Sequence, residues 1–206
     1  MLLNKNRENA APGITGECPF CLDKLIPKCG EIKIWHWAHK SIVVCDPWSE
    51  GETEWHIDWK NKFPKEWQEV IIKKNGVKHI ADVLTSKGLI LEFQNSPISM
   101  IKIKERETFY GNMAWVFNFK EIIDNFDFYE KRNYTTFRWK HPRQSMWCIR
   151  KPLFIDFGDS LFVIKKLYSN IPCGGWGQWT TPSFLQINPI LKTEDDNEHG
   201  LDYDRT

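Results

Sequence analysis

Asp82 and Glu92 are the residues of this chain whose types and spacing best fit a chemical role. His79-Ile80-Ala81-Asp82-Val83 and Leu89-Ile90-Leu91-Glu92-Phe93-Gln94-Asn95-Ser96 read as the two strands of a β-hairpin with one acid on each. If Ser86-Lys87-Gly88 forms a three-residue loop with Gly88 left-handed, Thr85 pairs with Leu89 and Asp82 falls opposite Glu92. A two-residue loop would shift the register by one and send the acids to opposite faces. Carboxylates about 5 Å apart repel by roughly 3 kcal/mol at an effective dielectric near 20, so the pair needs a bound cation or a shared proton. The chemistry this points to is divalent-cation binding of the kind that metal-dependent phosphodiester hydrolysis uses. Gln94 lies two residues beyond Glu92, on the same face of its strand. The plainer alternative is a solvated edge hairpin. The apolar flanks Val83-Leu84 and Leu89-Ile90-Leu91 favour a central, buried pair instead.

A second cluster lies nearer the start of the chain. Cys18-Pro19-Phe20-Cys21 is a knuckle that points two thiolates at one place and needs a second pair of ligands to close a tetrahedron. Ile32 to His39 reads as a strand carrying His36 and His39, and Cys45 follows. His39 and Cys45 are the preferred second pair, with His36 as the main rival and Cys29 a weaker one. Four protein ligands leave no position for a water nucleophile, so this Zn²⁺ would be structural. A module this small builds little core of its own, and metal binding would supply much of its folding free energy.

The elements that must position these groups follow from the pattern. Residues 1–13 are polar and expected to be mobile. Ser49-Glu50-Gly51-Glu52 offers a helix start, and Trp55, Trp59 and Phe63 share one helical face before Pro64, with Glu54 and Asp58 on another. Gln68–Lys73 reads as a strand, Asn75-Gly76 as a hairpin turn, and Val77–Thr85 and Leu89–Gln94 as the acid-bearing strands. Ser96-Pro97 looks like a cap and first turn of a helix running through Arg106 and Tyr110 to Gly111, and Ala114–Phe119 like a buried strand. The order is helix, three strands, helix, strand. Beyond it, Met146–Ile149, Leu153–Phe157 and Leu161–Leu167 read as strands and Cys173–Trp179 as a Gly/Trp loop. The stretch from about Lys192 is acidic, poor in apolar residues and expected to be disordered.

Composition sets bounds. A chain of 206 residues buries about 70% of its unfolded surface, enough for one substantial core and a small module. Twenty-eight Lys+Arg against 27 Asp+Glu leave a formal charge of +1, so binding to nucleic acid would have to come from local patches. Eleven Trp and 13 Phe suggest aromatic-rich packing, with some rings available for stacking on bases. No run approaches the roughly 20 apolar residues of a membrane span and no secretory segment follows Met1, so a soluble, cytoplasmic protein with no membrane partner is expected. Six Cys in such a compartment are metal ligands or buried thiols; Cys148 and Cys173 lack nearby ligand partners and fit the second description.

The chain resembles the competence protein CoiA-like family of the PD-(D/E)XK nuclease superfamily. The resemblance rests on Cys18-Pro-Phe-Cys21, Trp35-His-Trp-Ala-His39, Glu52-Thr-Glu-Trp-His56 with Lys60, His79-Ile-Ala-Asp82-Val83, and Glu92-Phe-Gln94-Asn-Ser96 with Arg106 and Tyr110, in that order. It runs from about residue 15 to 120, and more weakly through Trp139-Lys140 and Phe154-Ile-Asp156-Phe-Gly158-Asp159. It implies an α/β (α+β) fold: a restriction-endonuclease-like αβββαβ core over 49–120 behind a zinc-binding module over 1–48, extra C-terminal strands packed on the core over 121–190, and an acidic tail over 191–206. It also implies a Mg²⁺- or Mn²⁺-dependent DNA nuclease serving DNA uptake, recombination or defence, with proteins of those processes as partners. The alternative is a weak or inactive DNA-binding accessory protein on the same fold; a zinc-dependent interaction module would leave the hairpin acids unexplained.

On that resemblance Asp82 and Glu92 would bind Mg²⁺, with the Phe93 carbonyl and waters completing the shell. The superfamily places a lysine where this chain has Gln94; an amide can orient a water but supplies no positive charge, which Lys60 or Lys78 would have to provide. Glu54 would add a metal ligand or a supporting contact, or be plain helix-surface charge. His56 and Lys60, one helical turn apart, would touch a phosphate or form a solvated pair. Arg106 and Tyr110 would brace Glu92, hold DNA backbone or serve packing alone.

Overall fold

The computed structural model describes residues 2–3, 6–32, 35–40, 45–48, 51–169 and 172–187. The acidic tail and Ser49-Glu50 lie outside the described residues. The protein is mixed α+β with sheet predominating, and it divides into two compact units, Met1–Ile57 with Ile71–Ile80 and Asp58–Val70 with Ala81–Thr206.

The first unit holds β1 (Leu2–Leu3), β2 (Asn6–Arg7), β3 (Gly16–Glu17), β4 (Lys24–Lys28) and β5 (His36–His39), paired in the order β2-β1-β3-β4-β5. The expectation of a mobile start is therefore corrected, since β1 pairs with β2 and, through Leu2 opposite Glu17, with β3. Such pairing is made by backbone groups and leaves little trace in side-chain composition. The core of this unit is small: Cys18, Phe20 and Leu25 are buried, with Cys21, Trp37, Cys45, Ile71 and Ile80 packed around them.

Helix α1 (Glu54–Lys60) is capped by Thr53, whose Oγ1 accepts the His56 amide at 3.4 Å while its own amide donates to His56 Nδ1 at 3.3 Å. This reciprocal arrangement is a capping box with histidine in the place of the usual Glu or Gln. Within the second unit, Trp59 and Phe63 are buried and their rings lie 5.5 and 6.3 Å from that of Phe93. Strands β6 (Gln68–Lys74) and β7 (Val77–Leu84) are joined at Asn75-Gly76, both with positive φ (49° and 80°), the conformation a tight hairpin turn needs.

Then come β8 (Ile90–Gln94), α2 (Met100–Tyr110) and β9 (Met113–Asn118), so the element order is helix, three strands, helix, strand. β7 and β8 are antiparallel, whereas β8 and β9 are parallel and joined through α2. β8 is buried along its whole length and β9 nearly so, as their apolar runs require. The cap of α2 is Ser99, whose hydroxyl accepts the Lys102 amide at 3.3 Å, rather than Ser96. Ser96 is engaged elsewhere, by Gln94.

The stretch after residue 121 continues the same sheet. β10 (Phe126–Glu130), β11 (Thr135–Trp139), β12 (Leu153–Asp156), β13 (Leu161–Tyr168) and β14 (Gly174–Thr180) give a nine-stranded order β10-β11-β14-β13-β12-β9-β8-β7-β6, and a short α3 (Pro182–Ile187) follows. Met146–Ile149 is not a strand: Met146–Cys148 belong to a 3₁₀ turn at Gln144–Cys148 that Ile149 caps, because a short apolar run does not reveal its period. The Gly/Trp segment is not a loop but β14. A Cβ at Gly174, Gly175 or Gly177 would lie 2.2, 2.1 or 2.2 Å from the carbonyl oxygens of Phe137, Lys166 and Val163, so these glycines serve close backbone approach between strands. Cys148 is buried as expected, while Cys173 is only half-buried. No helix among the described residues is long and apolar enough to cross a membrane.

Candidate metal centres

The hairpin that carries the acids closes as a three-residue loop. The Gly88 and Thr85 amides donate to Thr85 O and Leu89 O at 2.9 Å each, and Gly88 has φ 78°. The register pairs Val83 with Leu91 and Leu84 with Ile90, and continuing it brings Asp82 level with Glu92. There the carboxylate takes over from the ladder: Asp82 Oδ2 accepts the Phe93 amide at 2.8 Å. Asp82 is half-buried, whereas Glu92 is 3% exposed and Gln94 1%.

Glu92 is held from α2. Arg106, itself buried, donates from Nη1 to Glu92 Oε2 at 2.9 Å, and the Tyr110 hydroxyl bonds the same carboxyl group. Arg106 and Tyr110, one helical turn apart on α2, thus both contact Glu92. Burial and then the charge of Asp82 nevertheless push the Glu92 carboxyl up to about 8, outweighing Arg106, the Asp82 backbone and Tyr110. Glu92 Oε1 is buried and makes no hydrogen bond within the protein. Two carboxylates on adjacent strands, one with an unsatisfied buried oxygen, fit a hard divalent cation such as Mg²⁺ or Mn²⁺, which takes oxygen ligands. Gln94 is fixed by its amide nitrogen, which donates to Ser96 O at 2.9 Å and Ser96 Oγ at 3.1 Å.

Glu54 is exposed in the first turn of α1. The His56 ring lies 2.8 Å from the Thr53 hydroxyl through Nδ1, within the helix cap. Lys60 is buried and its ammonium pairs with Glu69 at 2.8 Å. Lys78 donates to the Phe20 carbonyl oxygen and lies over that ring, 4.3 Å from its centroid. Both lysines expected to supply the charge missing at Gln94 are thus engaged by other partners.

In the first unit, the ligand atoms of Cys18, Cys21, His39 and Cys45 all lie within 4.8 Å of one another. The Cys18 and Cys45 sulfurs are 3.5 Å apart, and Cys21 Sγ is 3.2 Å from His39 Nε2, spacings that a tetrahedral Zn²⁺ spans. His36 and Cys29 are not members of this group. The knuckle is shaped by backbone bonds from Cys18 N to Asp23 O at 2.9 Å and Leu22 N to Cys18 O at 2.8 Å, with Leu22 at φ 65°. Burial pushes the Cys21 thiol up, but hydrogen bonds from the Asp23 backbone and to Cys45 and Cys18 outweigh it and leave the group below the usual thiol range. Burial, with hydrogen bonds to Cys18 and Cys21, pushes Cys45 far up. Neighbouring thiols compete to ionise, and a cation relieves that competition.

Sequence reasoning missed a third constellation. Asp46 is buried and accepts His79 Nδ1 at 2.8 Å, the Ile80 amide at 2.7 Å and the Trp48 amide at 3.0 Å, while Trp48 stacks on His79 with 3.3 Å between ring centroids. The sequence signal was Asp46-Pro47-Trp48 directly after Cys45. Three donors around one carboxylate tie the chain that follows the last cysteine to β7. Asp156, in the second unit, likewise accepts Trp59 Nε1 at 2.7 Å and the Gly158 amide at 2.8 Å, fixing the C-terminal end of β12.

No curated protein and no solved structure matches the chain significantly. A family model, that of the N-terminal domain of the competence protein CoiA, matches residues 15–47, the segment that contains all four members of the cysteine and histidine cluster, so this part of the chain is similar to that domain.

Proposed function

We propose that this is a metal-dependent nuclease of the PD-(D/E)XK type that hydrolyses DNA phosphodiesters, with a zinc-stabilised N-terminal segment and a role associated with competence, in DNA uptake, recombination or defence. The observation that carries the reading is the Asp82–Glu92 pair. A fold does not keep a buried glutamate beside a second acid, with one oxygen unsatisfied, unless that arrangement serves something. The element order α1-β6-β7-β8-α2-β9, with both acids on the central hairpin, suits a restriction-endonuclease-like core. The similarity of residues 15–47 to the CoiA domain supports the association with competence.

Asp82 and Glu92 would hold Mg²⁺ or Mn²⁺. When bound, such an ion polarises a phosphoryl oxygen and lowers the pKa of a coordinated water. Arg106 and Tyr110 keep the Glu92 carboxylate in one orientation. Ser96 fixes the Gln94 amide by its donors, so that the group Gln94 contributes to a water is its acceptor oxygen, which can orient a nucleophile but not neutralise charge at phosphorus.

The engagement of Lys60 by Glu69 and of Lys78 by Phe20 favours a second reading, a DNA-binding accessory protein with weak or no turnover. Incubation of the purified protein with single-stranded, duplex and branched DNA in Mg²⁺, Mn²⁺ or chelator separates the two. The nuclease reading expects cleavage with either metal and none in chelator; binding without cleavage in every condition supports the accessory reading. Gln94→Ala is expected to slow cleavage on the order of a hundredfold, as loss of a water-orienting contact would, and Gln94→Lys to retain measurable activity. Rates equal to the parent in both variants would remove Gln94 from the chemistry.

A further inference from the structure

The far end of the sheet from the acids carries features that catalysis does not use. The β10–β11 turn, β13, β14 and the start of α3 enclose a cleft of about 460 Å³, rimmed by Lys131, Arg132 and Lys165 and lined by Tyr134, Trp179 and Phe184. The three cations are exposed and none is ion-paired among the described residues. The acid of the lining, Glu130, is occupied by hydrogen bonds from Trp179 Nε1 at 3.0 Å and the Thr135 hydroxyl at 2.9 Å. Three cations against one acid leave the cleft at a formal +2, while the whole chain carries +1. Positive charge is therefore concentrated here.

The aromatic rings are held as platforms rather than left to rotate. Trp179 is 37% exposed, yet its ring packs on Phe162 at 4.8 Å and Phe128 at 4.9 Å and its N–H is tied to Glu130. Tyr134 is 43% exposed and stands edge-on to Trp176 at 5.6 Å. Rings fixed on one side and open on the other, interleaved with unpaired cations, suit an unpaired base between charged phosphates: every base has a π-face, and every phosphate a charge. Paired bases of a duplex are already stacked and offer no face to such rings.

We propose that this cleft binds single-stranded DNA, stacking bases on Tyr134 and Trp179 and holding the backbone with Lys131, Arg132 and Lys165. Binding here requires neither Asp82 nor Glu92, so it stands apart from the nuclease reading. Fluorescence anisotropy of a labelled 15-nucleotide oligo-dT, with no divalent cation added, tests it against an abasic strand of the same length and a duplex of the same length. The abasic strand is expected to bind at least about tenfold more weakly, since it keeps the charge and loses the stacking. The slope of log affinity against log salt is expected to be near −2, and to flatten by about 0.7 for each cation removed in Lys131→Ala, Arg132→Ala and Lys165→Ala, surface changes that leave the core untouched. Tyr134→Ala is expected to narrow the gap between oligo-dT and abasic strand. Equal binding of the abasic strand, tighter binding of the duplex, or an unchanged salt slope in the cation variants would each overturn the proposal.

Discussion

Glu92→Gln is expected to abolish metal-dependent cleavage, by on the order of a thousandfold or more, and at the same time to make the metal-free protein more stable at pH 8. The two effects share one cause. Folding places Glu92 where burial and Asp82 push its carboxyl up to about 8, well above the roughly 4.3 of an unfolded glutamate. The folded chain therefore holds a proton that the unfolded chain has released between those values, and this group's contribution to stability falls as pH rises through that window. Glutamine keeps the shape and cannot ionise. In the absence of divalent cation its melting temperature at pH 8 is expected to exceed the parent's by on the order of 2–6 °C, a gap that closes toward pH 4.5. Added Mg²⁺ should raise the parent's melting temperature at pH 8 and leave the variant's unchanged. A variant that cleaves normally, or that is less stable than the parent at pH 8, contradicts this assignment of Glu92.

Loss of one zinc ligand is expected to have the second largest effect, through stability alone. The first unit packs its described core around Cys18, Phe20 and Leu25, so it has little apolar burial to offset the entropy of ordering its short strands. Metal analysis is expected to find one zinc per chain. Cys21→Ser or Cys45→Ser should lose it and lower the melting temperature by on the order of 5–10 °C or leave the protein insoluble. Cys29→Ser and His36→Ala should keep the zinc, because neither residue belongs to the cluster. Full stability in a protein stripped of zinc contradicts a structural site.

How much of this was legible in the sequence differs by the physics involved. The acid hairpin was readable because Ser86-Lys87-Gly88 fixes the loop length and a left-handed glycine fixes the register, both local properties. The zinc cluster was readable down to the ambiguity between His36 and His39. Three positions apart on a strand, they point to opposite faces, and only the pairing of Leu25 with His39 decides which one meets the knuckle. Whether Arg106 braces Glu92 or reaches DNA could not be read, because it depends on how α2 lies against the sheet. The buried Asp46–His79 pair escaped for the same reason: its partners are 33 positions apart. β14 escaped for the opposite reason, since its glycines answer to neighbouring carbonyls while sequence reading counts glycine as a sign of a loop. The β10–β11 hairpin was passed over although Phe126 and Phe128 alternate with Asp127 in sequence, and the buried Phe137 and Trp139 flank the exposed Arg138.

The central claim is that Asp82 and Glu92 together hold a divalent cation. Calorimetric titration of the zinc-loaded protein with Mg²⁺ or Mn²⁺, at pH 7 in two buffers of different ionisation enthalpy, tests it most directly. Because burial and Asp82 hold the Glu92 carboxyl well above the usual range, protons should leave as the ion binds and fewer should leave as the pH is raised, and Asp82→Ala and Glu92→Gln should each remove both the binding and the proton release. Binding in the parent without proton release, or equal binding by either variant, would contradict it.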